Sequence, residues 1–493
     1  MEPIGTITQY FPFLDEETRD LLQSVMNDAE NYHDFVMHLA NVVLNEDVPD
    51  LAIYFAIHHS ALILDMDNIE SIGKKYGQIP ILRPNLFYAR VHQGNVDDLP
   101  KIHESADAVL ATGPPEWLAI EMRFLKFEAD LLQYPKTLCD SANLEELERL
   151  IRKSPDYKFF ENILFDCYRE RAFRDGDLEE KIRCTDLAIR SAQEFNDLVR
   201  LAWHLRVKTD YLRRVNVAEA RNTLTQAYQI MDSLGNRAGI ASILLYLARL
   251  DATRGEYDLA IERCLKSIEI REKMDLPRSS NAVLLSTLYN AIGHADEGLE
   301  WARYAEVDFD VYPGMKPRAI FNQAWALALL GRTTEAIALV DSIRADVMMS
   351  GLDPLLAWLS FVTGVLDMVE GNLTSAASNI KDALDLFEEK SSVEYGLIFL
   401  YYLAQIDVRR VSYDTDSRIR YESLPWLTLL EEKSKSDDLP GFLGLASLLK
   451  AKLAISRDDD DMLRSSVEII RNLCNSNHLD FLDLTLDSLL KKR

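Results

Sequence analysis

Cysteine is scarce and scattered. Its five copies, Cys139, Cys167, Cys184, Cys264 and Cys474, form no CxxC pair and no Cys/His cluster at metal spacing, which argues against both a disulfide framework and a zinc site. They read as reduced, buried thiols. Basic residues are outnumbered, 54 Lys and Arg against 80 Asp and Glu, and the net charge of −26 repels nucleic acid and anionic lipid over most of the surface. No apolar run reaches the roughly 18 residues that suggest a membrane span, and no basic leader opens the chain, so a cytoplasmic protein is expected. Nucleotide-binding glycine loops, HExxH, GxSxG and the EF-hand loop are all missing. Glu-x-x-His, which helical di-iron proteins need on two helices, occurs only as Glu30 to His33. His58 and His59 are adjacent and on a helix would diverge by about 100°, too far to share one ion easily. No cofactor, no metal and no catalytic residue are therefore expected. Alternation with a period of two is absent too, which leaves no candidate strand.

What the sequence does have is helical periodicity, with apolar residues at i, i+3, i+4 and i+7, from Glu16 to Lys492. Glycine, Asn and Asp punctuate it at regular intervals. Aligning Gly176, Val215, Gly255, Gly293, Gly331 and Gly371 gives separations of 39, 40, 38, 38 and 40 residues, the mark of an internal repeat. Each of these residues is expected to close one helix in a left-handed C-cap and open the turn into the next. Five residues further on stands a small residue in most units (Ala220, Ala260, Gly298, Ala336, Ala376), where two helices must approach closely. Helical pairs also read at 15–45, 49–78, 115–153 and 392–434, and a last hairpin turns near Asp458–Asp461 before a closing helix at 477–492.

These offsets resemble the tetratricopeptide repeat family, whose pattern places small and aromatic residues at the same positions. The match covers six units, with Lys181 standing where the pattern has Ala. The period is longer than the family's usual 34 residues and is similar to the repeats of kinesin light chains and MalT-like regulators. The resemblance implies an all-α fold, a right-handed solenoid of about twelve helical hairpins in which each contacts its sequence neighbours. Residues 1–154 form a degenerate repeat region, 155–390 the regular repeats, and 391–493 degenerate repeats with a capping helix.

In such arrays the first helices of successive hairpins line a concave groove. The corresponding positions of the earlier units carry Asp166, Glu170, Arg174, Arg206, Thr209, Arg213, Tyr246 and Arg249, a polar stretch with four arginines. Those of the later units carry Phe321, Asn322, Trp325, Trp358, Phe361, Val365 and Met368, with Arg318 between the two sets. The arginines suit a carboxylate or phosphate. The aromatic strip is either an open anchor for an amphipathic helix or is closed over by a tightly wound superhelix or the C-terminal hairpins. The sequence thus favours a non-catalytic interaction scaffold that holds a peptide or helix of a partner in its groove, and the arginines point to an acidic or carboxylate-bearing one. A MalT-like sensor of a small ligand or peptide, which would need a deep pocket, is the alternative, and an enzyme on a helical scaffold comes third.

Overall fold

A computed structural model describes residues 5–491, except 9, 64, 93–94, 133–140, 155–159, 162, 170–176, 214–215, 309–314, 391–392, 414–423 and 478. Gly176, Val215, Glu170, Arg174 and Cys139 lie outside the described residues. Among the described residues there is no strand, and the chain is an all-α solenoid of antiparallel hairpins. The repeat glycines stand at the turns as their spacing requires. Gly255, Gly293, Gly331 and Gly371 have φ of +73°, +87°, +74° and +89°, the region a glycine C-cap occupies at least cost. Helix starts are held by short polar side chains: Asp15, Asn31, Asp177, Asp197, Asn216 and Asp459 each accept a backbone N–H three residues ahead. Ala220, Ala260, Ala336 and Ala376 are fully buried at the helix crossings. At Gly364 an added Cβ would meet Ile380 Cγ1 at 2.5 Å, so this crossing admits no side chain.

The chain forms two compact units, residues 1–243 with 270–277, and residues 244–269 with 278–493. This division follows packing, whereas boundaries at 154 and 390 follow the regularity of the repeat.

Each unit departs from a simple stack in which only neighbours touch. In the first, the turn after helix Val217–Ser233 meets the earliest hairpins: His33 N–H donates to the Leu234 carbonyl at 3.1 Å, and Asn236 Nδ2 to the Leu62 carbonyl at 3.5 Å. The inner helix Asp50–Leu62 is correspondingly apolar almost all round, since neighbours cover it on every side. In the second unit the turn at Gly255 meets the start of helix Pro440–Arg457. Tyr257 packs its ring on Phe442 and Phe481 at 6.0 and 5.4 Å, and Asp258 accepts the Phe481 N–H at 3.1 Å.

That meeting point makes a prediction. A Cβ on Gly255 would lie 2.9 Å from Gly441 Cα and 2.8 Å from Phe442 N, on a backbone already at positive φ. Gly293 has the same backbone but open space around it. Gly255→Ala should cost about 3 kcal/mol and Gly293→Ala about 1, from the left-handed strain alone. Equilibrium denaturation of the two variants compares them, and equal losses would show that the two turns do not pack as described.

Candidate functional site

Of the residues that the groove register selects, those of the second unit turn inward. Trp325 is fully buried, Trp358 is 2% exposed, and Phe321, Asn322 and Phe361 are likewise buried. The expectation of an open aromatic anchor is corrected here: the strip is core. Helix Val393–Tyr413 lies over it, with Tyr402 Oη accepting the Trp325 indole N–H at 2.9 Å and Phe399 stacked on Phe361 at 4.4 Å. Trp325 and Tyr402 are two repeats apart in sequence and Phe361 and Phe399 one, so a first helix here meets the second-next first helix as well as its neighbour, across a tightly curved interior. Asn322 is held in place by donating to the Val283 carbonyl at 2.9 Å and to Thr287 Oγ1 at 3.0 Å. Arg318 donates to Tyr395 Oη and lies over the Trp358 and Tyr395 rings, where it closes the same cluster. In this unit Arg249 lies over Tyr246 at 5.1 Å, both half-buried.

Arg206 and Arg213 belong to the first unit. Arg213 sits 3.5 Å from Asp210 on its own helix, Leu198–Leu212 or its cap. Arg206 is different: it lies over Trp203 at 5.0 Å and lines a cavity of about 350 Å³. The cavity is built from inner segments, the helices Asp50–Leu62, Arg83–His92, Glu116–Leu132 and Leu198–Leu212 and residues 163–169. Only because this unit closes on itself do His58 and Arg206 face one space.

A buried ion network forms one wall. The Asp166 carboxylate has Arg169 Nε and Arg200 Nε at 3.5 Å and His204 Nε2 at 3.3 Å, while Arg200 also reaches Asp197 at 3.6 Å. Burial pushes the Asp166 carboxyl up, but His204, Arg169 and Arg200 outweigh it and hold the group below the usual carboxylate range. Burial pushes His204 down to about 4, assisted by Arg169, Arg200 and Arg206 and opposed by Asp166, so the ring is neutral at pH 7. With the Nε2 proton directed at Asp166, His204 Nδ1 is an acceptor, and it has no hydrogen-bond partner. Asp166 Oδ1 is the oxygen that faces His204 Nε2 and Arg169 Nε, and Asn85 stands beside Tyr54 and His58. Asn85, Asp166 and His204 line the cavity and are at most 5% exposed. A buried acceptor such as His204 Nδ1, left without a partner, costs free energy unless something polar enters to meet it.

On the facing side, Glu121 and Glu128 come from helix Glu116–Leu132 with Phe124 between them, and Glu121 accepts the Tyr10 hydroxyl at 3.0 Å. His58 also lines the cavity. His59 is buried beside it, bonded through Nδ1 to Tyr32 Oη at 2.7 Å, and burial pushes both imidazoles below their ordinary pKa. The two rings stand at 84° to each other, and among the described residues no group of three His, Cys, Asp or Glu side chains is arranged to hold a metal. Sequence reasoning found Asp166 and Arg206 but passed over Arg200, Trp203 and His204. Arg200 and His204 lie four apart on one helix face, a signal that could have joined them to Asp166.

The fold is that of a helical-repeat solenoid, with an interior cavity in its first unit. In comparison with solved structures, the chain is similar to a signal transduction ATPase with numerous domains carrying a tetratricopeptide repeat sensor, from Pyrococcus horikoshii. The identity is 13% and the TM-score 0.42, over 75% of this chain and 52% of that one, so this chain spans about half its length. It is similar also to apo RapI, with 14% identity and a TM-score of 0.43 over 80% of this chain and 98% of that one. A third likeness is to yeast Tom70, with 13% identity and a TM-score of 0.34 over 90% and 95%. No protein-family model matches the sequence, and no curated protein sequence matches it. No described helix is long and apolar enough to cross a membrane.

Proposed function

We propose that the chain is a non-catalytic binding scaffold whose first unit receives a carboxylate-bearing peptide segment of a partner in the cavity beside Arg206. The observation that carries this reading is the cavity itself, where the buried acceptor His204 Nδ1, without a hydrogen-bond partner, stands next to arginines and aromatic rings. A guanidinium in that setting takes a carboxylate in two parallel hydrogen bonds. Among the described residues that line the cavity there is no Ser, Thr or Cys to act as a hydroxyl or thiol nucleophile, which supports binding over chemistry. A second reading, a sensor of a small ligand that acts on a separate effector, is favoured by one feature: the space is a cavity between five inner segments and not a trough along the solenoid.

The test uses immobilised short peptides with free C-terminal carboxylates, with their C-terminal amides as controls. The full chain should be retained on the acids and not on the amides, and raised salt should weaken retention. Arg206→Glu should weaken it by about tenfold. Because Arg206 is half-buried at the cavity edge, the melting temperature should change little. Retention that ignores both the amide and Arg206→Glu rules out this mode of binding.

A further inference from the structure

The charges of the cavity are sorted by helix. Helix Glu116–Leu132 contributes only carboxylates to it, Glu121 and Glu128, whereas helix Leu198–Leu212 contributes Arg200, Arg206 and neutral His204. Between them the segment 163–169 supplies one of each sign, Asp166 and Arg169. The lining therefore holds as many guanidinium groups as carboxylates, arranged from an acidic side to a basic side. A ligand that is purely anionic satisfies Arg206 but brings its charge into a space faced by two glutamates. A purely cationic ligand meets the opposite difficulty at the arginines. At the buried groups of the lining, Glu121, Asp166 and His204, such a mismatch is screened little.

We infer that the cavity takes a small zwitterion, a free amino acid or dipeptide, with its carboxylate toward Arg206 and its ammonium toward Glu121 and Glu128. Such a ligand adds no net charge, and its ends match the polarity of the two walls. The acceptor without a hydrogen-bond partner, His204 Nδ1, is a position for an ammonium or amide N–H group. A cavity of about 350 Å³ lies at the small end of ligand sites and fits one or two residues better than an extended segment. The inference rests on the reading that this cavity is the binding site, and it narrows the ligand to one that carries both termini.

The experiment is equilibrium dialysis of the full chain against an equimolar mixture of free dipeptides and free amino acids, with bound species identified by mass spectrometry. Parallel mixtures carry N-acetyl or C-amide caps. Retention of free species, with a loss of about tenfold or more on either cap, is the expected result. Glu128→Gln should weaken the free ligands by a similar factor and leave any residual binding of N-acetylated ones unchanged. If N-acetylated species bind as well as free ones, the ammonium side is wrong and the carboxylate reading stands. Binding of C-amides equal to that of the free forms removes both readings. Retention of no free species overturns the zwitterion, while the immobilised-peptide test still decides on the carboxylate.

Discussion

Trp325→Ala lowers the unfolding free energy by about 3 to 5 kcal/mol, the range for truncating a large buried aromatic. Trp325 is fully buried, it donates to Tyr402, and its ring touches Trp358 and Phe361 at 6.1 and 5.0 Å, so alanine would leave a cavity and strand the Tyr402 hydroxyl. Trp358→Ala falls in the same range, with an added loss because Arg318 no longer has that ring beneath it. Tyr402→Phe separates the contributions: it removes the hydrogen bond while keeping the ring contacts, and costs about 1 kcal/mol. Urea denaturation monitored by circular dichroism measures all three. A Trp325→Ala protein as stable as the parent would mean that the strip is open and the helix Val393–Tyr413 does not cover it.

Acid weakens the first unit before it protonates ordinary carboxylates. His204 titrates near 4 in the folded chain against an ordinary 6.5, so the unfolded chain binds the proton first. The associated stability is fully present above about pH 6.5 and is lost as pH falls toward 4, amounting to about 3 kcal/mol for this residue. His58 and His59 are displaced in the same direction by burial and steepen the loss. The Asp166 carboxylate, held below its ordinary range, extends the loss to still lower pH. Denaturation midpoints from pH 8 to pH 4 should fall mainly below 6.5. In His204→Gln the amide can still donate toward Asp166 but takes up no proton, so the slope should flatten. An unchanged slope would show that His204 is not a buried neutral ring.

The sequence carried the local half of this architecture. Gly255, Gly293, Gly331 and Gly371 announce themselves by spacing, because a left-handed C-cap penalises every other side chain. The helix pairs from Glu16 to Ser436 follow from periodicity, and the crossings at Ala220 and Ala336 from residue size. What the spacing leaves out is the element that faces an inner helix. The register that placed Trp325 on a first-helix inner face is met by the structure, but its covering partner, Tyr402, lies 77 residues on. Only the curvature of the assembled unit decides that meeting. The ion network was hidden for a different reason: Asp166 and His204 stand one repeat apart on inner segments of neighbouring hairpins, but the groove register skips Arg200, Trp203 and His204.

The cavity of the first unit is the proposed place where this chain binds. Hydrogen exchange of the full chain, with and without the free dipeptide mixture, tests it most directly. The predicted result is slowed exchange concentrated in the helices Glu116–Leu132 and Leu198–Leu212, together with Asp50–Leu62 and Arg83–His92, and abolished by Arg206→Glu. Protection confined to the second unit, or protection of these helices that persists in Arg206→Glu, would contradict it.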